Sequence, residues 1–174
     1  MIPQRGSNMT DYVATRWYRA PELLICADYG KAVDMWAIGC IMGELIDGQP
    51  LFPGESEIDQ LLVIQKVLGP LPAEQREFMQ KHPRFLGTKF PDFGKPETIE
   101  KRYLGNISKK GLSFMKGLLK MDPNERLTAS EALQHPYFEG FNEVPQSVVA
   151  SGQVKGEGRT PKNNGQSSVI SMLI

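Results

Sequence analysis

The groups best placed for chemistry stand near the N-terminus, where Thr10 and Tyr12 form a T-x-Y pair in a stretch with little hydrophobic periodicity. A phosphate on either hydroxyl adds about −1.5 to −2 charge and three acceptor oxygens. Arg16 and Arg19 follow four and seven residues after Tyr12, and guanidinium groups bind phosphate by charge-assisted, often bidentate hydrogen bonds. The set reads either as a phosphorylation-driven loop or as an unmodified surface loop with solvated arginines. Two cysteines, Cys26 and Cys40, are too few for a disulfide framework, so a reducing compartment is expected. Cys40 sits in an apolar stretch and reads as a small core residue; Cys26 lies in a loop with no obvious activating neighbour in the sequence.

The elements that must position these groups belong to a chain long enough, at 174 residues, for one domain with a real core. Its 20 basic and 20 acidic residues balance to zero net charge. That leaves no electrostatic footprint for nucleic acid and no polybasic segment for an acidic membrane. Met1 to Gly6 lacks the apolar run of a signal peptide, and no segment approaches the ~18 consecutive apolar residues of a membrane span. A cytoplasmic or nuclear location is expected.

Residues 1–30 read as loop, closed by a short helical turn at Pro21, whose missing N–H is harmless at a first helical position. Lys31 to Ile46 is apolar on nearly every side, which predicts a central helix buried all round, stopped by Gly48 and Pro50. Ser56 is predicted to cap a second helix with Asp59 in a capping-box arrangement. Its apolar side is Ile58, Leu61, Leu62 and Leu68, and Gly69-Pro70 ends it. Residues 71–105 carry four prolines and read as a compact surface insertion outside the core, with one short helix near Glu74–Lys81. Ser108 caps a third helix to about Met121, facing Leu112, Met115 and Leu119 inward, and Thr128 with Glu131 opens a last short one ending before His135-Pro136. No stretch signals a strand. Residues 142–168, rich in Gly, Ser, Asn, Gln and Lys, are expected to be a disordered tail extending to 174. Its last six residues, Val169 to Ile174, are apolar and read as a docking motif or an arbitrary end of the chain.

Val13-Ala14-Thr15-Arg16-Trp17-Tyr18-Arg19-Ala20-Pro21-Glu22 gives these elements a family. With the preceding T-x-Y it resembles the CMGC protein kinases, including the Ala-Pro-Glu motif that closes the activation segment. Asp34-x-Trp36-x-x-Gly39, the run from Asp122-Pro123 to Arg126, and His135-Pro136-Tyr137-Phe138 are similar to later motifs of the kinase domain, in the same order. Gly48 through Leu61 and Arg102-Tyr103-Leu104-Gly105 resemble the cyclin-dependent kinase-like family in particular. The resemblance covers about residues 7–140, and four ordered motifs make it specific where one alone would be weak.

The resemblance implies a mainly α fold: the C-terminal helical lobe of a protein kinase over residues 1–141, with the activation segment starting near residue 7. It implies that Arg16 and Arg19 receive phosphotyrosine, that Thr15 with Arg16 to Arg19 shapes the pocket for the residue after the phosphoacceptor, and that Glu22 and Arg126 form a buried ion pair. Asp34 in the family bonds the backbone of the catalytic loop, a structural role. Trp36, Trp17 and Tyr18 read as packing aromatics. Phosphoryl transfer needs a Gly-rich loop, a strand lysine with its glutamate, a catalytic aspartate and a metal-binding aspartate, all ahead of Ala-Pro-Glu. Only 19 residues precede Ala20, with no Gly-rich loop and no His-Arg-Asp. Asp92-Phe93-Gly94 spells the metal-binding tripeptide but begins 70 residues after Glu22, on the wrong side, and is read as coincidence. The small β lobe, catalytic loop and metal motif are therefore expected to be absent, and no catalytic, cofactor-binding or metal-binding residue is assigned. A parent kinase would use ATP and Mg2+, act on protein substrates and answer to an upstream kinase. The alternatives are a non-catalytic binding module docking through residues 56–105, or a non-functional remnant.

Overall fold

A computed structural model describes residues 16–91 and 94–141. The expected tail at 142–174 and the tripeptide residues Asp92 and Phe93 lie outside them. Among the described residues every regular element is helical. They are α1 (Pro21–Leu24), α2 (Ala32–Asp47), α3 (Glu57–Leu68), α4 (Ala73–Lys81), α5 (Ile99–Tyr103), α6 (Lys109–Leu118) and α7 (Ala129–Leu133). Three 3-10 turns, at Pro83–Phe85, Pro123–Glu125 and Pro136–Phe138, each begin on a proline.

The boundaries follow local chemistry. Pro21 opens α1 as its first residue, and Gly48 closes α2 in the left-handed conformation at φ 67°. The Ser56 hydroxyl accepts from the Asp59 N–H at 3.1 Å, while the Asp59 carboxylate reaches back to the Glu55 N–H, one residue short of a reciprocal capping box. Thr128 and Glu131 complete that box: each side chain accepts from the other residue's backbone N–H.

Helix α2 is the axis on which the others pack. It meets α6 closely because two of its residues lack a side chain. A Cβ on Gly39 would stand 2.7 Å from Leu119 Cδ2, and one on Gly43 would stand 2.8 Å from the Tyr103 hydroxyl and 2.9 Å from Met115 Cε. Trp36 stacks on Phe52 within the main core, at a centroid distance of 5.7 Å. A smaller core joins Met35, Phe114, Leu118 and Ala132 beneath Tyr137 and Phe138, with Phe114 stacked on Tyr137 at 5.0 Å.

Three expectations need correction. Helix α2 is not buried all round: Ile38, Ile41 and Leu45 are 46%, 48% and 77% exposed. They share one face with exposed Asp34, and no described element covers it. Helix α3 buries Gln60, Leu61, Ile64, Gln65 and Val67, whereas Ile58 points outward. Two glutamines on the inner face displaced the apolar reading because each has a structural bond to make. Gln65 Nε2 donates to the Leu61 carbonyl, and its Oε1 accepts from the Leu71 N–H. Residues 71–105 are no mere surface insertion either: Leu71, Met79, Phe85, Ile99 and Tyr103 are buried members of the main core. The returning chain is tied to α3 by Glu97 N–H to the Lys66 carbonyl and Thr98 N–H to the Val67 carbonyl.

Candidate functional site

The chain from Arg16 to Glu22 crosses the molecule between the start of α3 and the turn ahead of α7, and it is held at both ends. At the first end, Arg16 Nη1 donates to the Glu55 carbonyl at 2.9 Å and the Trp17 indole N–H to the Gly54 carbonyl at 3.0 Å. Gln60, fully buried, clamps both strands of this crossing. Its Oε1 accepts from the Gly54 N–H and its Nε2 donates to the Trp17 carbonyl. Nothing larger than glycine fits at position 54, since a Cβ would stand 2.4 Å from Gln60 Cα.

At the other end Glu22 and Arg126 meet, 104 residues apart in sequence, in a bidentate pair of 2.7 and 3.0 Å. Both side chains are buried, at 2% and 0% exposure. Arg126 also donates to the Ala32 carbonyl through Nη1 and to the Lys120 carbonyl through Nε, and its guanidinium lies 5.2 Å from the Trp36 ring centroid. One side chain thus joins α1, the start of α2 and the end of α6. A buried charge is tolerated when it is paired and hydrogen-bonded in this way.

Between the two ends Tyr18 donates to the Glu44 carboxylate of α2. That bond, with burial and the charge of Glu44 adding to it, pushes the Tyr18 phenol up to about 12. Burial pushes the Cys40 thiol up as well, in keeping with an inert core position. Arg19 pairs with Glu57 Oε1 at 3.5 Å, and Arg84, from the turn after α4, pairs with Glu57 Oε2. Arg16, Glu57 and Arg84 line one pocket of about 340 Å3.

Of the residues singled out in the sequence, Arg16 and Arg19 come together at the start of α3, and Glu22, Arg126 and Trp36 come together at the core. Asp34 stands apart on the exposed face of α2. Thr10, Tyr12 and Thr15 lie outside the described residues. Glu44, Gln60, Glu57 and Arg84 were missed. Glu57 carried only the weak signal of an acid in a first helical turn, and Arg84 carried none. Among the described residues no group of three or more His, Cys, Asp or Glu is arranged to hold a metal, and no helix is long and apolar enough to cross a membrane.

The protein kinase domain family matches residues 2–138. The chain is 53% identical over 166 residues to cyclin-dependent kinase-like 5 of Mus musculus, covering 94% of this chain and 18% of that protein. It is 55% identical over 150 residues to cyclin-dependent kinase-like 5 of Homo sapiens, covering 86% and 16%. To cyclin-dependent kinase-like 4 of Mus musculus it is 48% identical over 161 residues, covering 92% and 45%. The chain belongs to the protein kinase domain family, on the side of the cyclin-dependent kinase-like proteins, and it spans less than half the length of these relatives.

Proposed function

We propose that this chain forms the activation-segment switch and protein-substrate platform of a serine/threonine protein kinase of the CDK-like type. Phosphate on Tyr12, with Thr10 beside it, is bound by Arg16 and Arg19, an ordering event driven by charge-assisted hydrogen bonds. Thr15 and the Arg16 to Arg19 stretch then receive the residue that follows the phosphoacceptor. One observation carries this reading: the Arg16 to Glu22 segment is fastened at both ends, by Gly54, Glu55 and Gln60 and by buried Arg126. A surface fixed before the peptide arrives spares binding the entropy of ordering it.

In the parent kinase, ATP with Mg2+ supplies the γ-phosphate to a protein Ser or Thr hydroxyl, and an upstream kinase phosphorylates the loop. The residues present here do not fit Mg-ATP. Among the described residues no group of three or more His, Cys, Asp or Glu is arranged to hold a metal, and neither a Gly-rich loop nor His-Arg-Asp precedes Ala20 in the given sequence. No transfer step is derived for this chain, which alone is proposed to be catalytically inactive. Thermal melting tests both halves of the proposal. Phosphorylation at Tyr12 is expected to raise the melting midpoint of the 174-residue chain, and Arg16→Ala with Arg19→Ala to cancel the rise, while Mg-ATP leaves it unmoved. A midpoint indifferent to phosphorylation defeats the switch, and a rise with Mg-ATP defeats the inactivity.

A further inference from the structure

One line along α2 stays open. Lys31 at its N-cap, Asp34, Ile38, Ile41, Leu45 and the closing Gly48 are all exposed, and Ile38, Ile41 and Leu45 belong to neither core. Successive members stand three, four, three, four and three residues apart. That is the a/d repeat of a coiled-coil seam, narrower than the stripe by which a helix lies on a globular core. Such a seam fits one more helix.

The charges along the line select which helix. Anions are favoured at a helix N-terminus and cations at its C-terminus. Asp34 suits its place in the first turn, but Lys31 sits at the N-cap, no basic residue lies in the last turn, and Glu44 and Asp47 stand there instead. A second α2 laid antiparallel on the first supplies what each lacks. Pairing a positions with d positions about a two-fold axis between Ile38 and Ile41 sets Ile38 of one copy against Ile41 of the other. Asp34 then lies beside Leu45, at the edge where its carboxylate keeps its water, and Lys31 passes over Gly48. Gly48 has no side chain and leaves room for the lysine stem, so the ammonium meets the carbonyl end of the other helix near Glu44. From Lys31 to Gly48 the line runs about 25 Å at 1.5 Å per residue. A slide of one heptad toward the C-terminus would carry Lys31 beyond the end of the other helix, so this charge fixes the register.

We infer that α2 is a two-fold interface, on which a second copy of this chain packs its own α2 antiparallel along the open seam. Three apolar side chains a side fall short of the roughly 800 Å2 per partner of a stable interface, so the pair is weak and forms at high concentration. This interface does not depend on the reading of the activation segment.

The test is sedimentation velocity of the full chain over rising concentration, with a reversible monomer–dimer equilibrium expected. Two-fold symmetry counts each substitution twice, so Leu45→Glu is expected to weaken association at least about tenfold. Lys31→Glu is expected to weaken it at low salt and far less at high salt. Both residues are exposed, so neither change disturbs the core. Register is read by mixing Ile38→Cys and Ile41→Cys chains, each also carrying Cys26→Ser to remove the exposed native cysteine. The mixed disulfide between the two variants should form ahead of either like-with-like disulfide. A monomer at every concentration, whether the seam stays bare or residues outside the described ones cover it, overturns the proposal. So does association that Leu45→Glu leaves unchanged, which would place the contact on another face. Growth past the dimer would make the stripe merely adhesive, and a preference for like-with-like disulfides would make the helices parallel; either result overturns it as well.

Discussion

Arg126 makes its bonds to Glu22, Ala32 and Lys120 from a side chain with no solvent exposure, so removing either charge leaves the other stranded in the core. Glu22→Ala and Arg126→Met are each expected to cost about 3–5 kcal/mol in urea unfolding, the usual penalty for an orphaned buried charge. The double variant should cost less than the sum, since neither charge then remains. No local pattern joins residues 104 positions apart; this pair came only from the family resemblance, while Gln60 and Glu44 stayed invisible because an isolated polar residue gives no sign of what it will meet. Tyr18 adds a pH signature. Its folded pKa, about 12, lies above the ordinary 10.0, so between those values the folded chain keeps a proton that the unfolded chain has lost. The contribution is whole below pH 10 and fades as pH rises through 12. In Tyr18→Phe this extra alkaline loss should disappear from a comparison of urea midpoints across that window.

Helix α2 packs against α6 and α5 through the bare backbones of Gly39 and Gly43. Gly43→Ala places a methyl under 3 Å from both the Tyr103 hydroxyl and Met115 Cε. Overpacking of this kind costs typically about 1–3 kcal/mol, despite the gain in helix propensity, and differential scanning calorimetry should record a lower midpoint. The helices themselves were legible, since Ser56, Ser108 and Thr128 each cap the helix they precede and Gly48 ends another. What could not be read was the role of residues 71–105. Leu71, Met79, Phe85 and Ile99 reach the core one at a time, from two short helices and the proline-rich turns around them, so no repeating period marked them as buried.

For the whole molecule, the open stripe of Ile38, Ile41 and Leu45 matters most. Contiguous exposed apolar side chains mark a surface that binds or self-associates. Self-association of the isolated chain through this stripe is the expected consequence. Ile41→Lys with Leu45→Glu is expected to reduce self-association of the isolated chain in light scattering, with stability changed by only about 0.5 kcal/mol per site. Sequence periodicity made α2 a core helix on every side, whereas the described elements enclose it on every side but one.

Hydrogen exchange of the 174-residue chain with and without phosphate on Tyr12 bears most directly on the platform. Phosphorylation should slow amide exchange from Arg16 to Arg19 and around Glu55 to Glu57, and leave the α6–α7 region as it was. Identical exchange in both segments in the two forms would contradict the account.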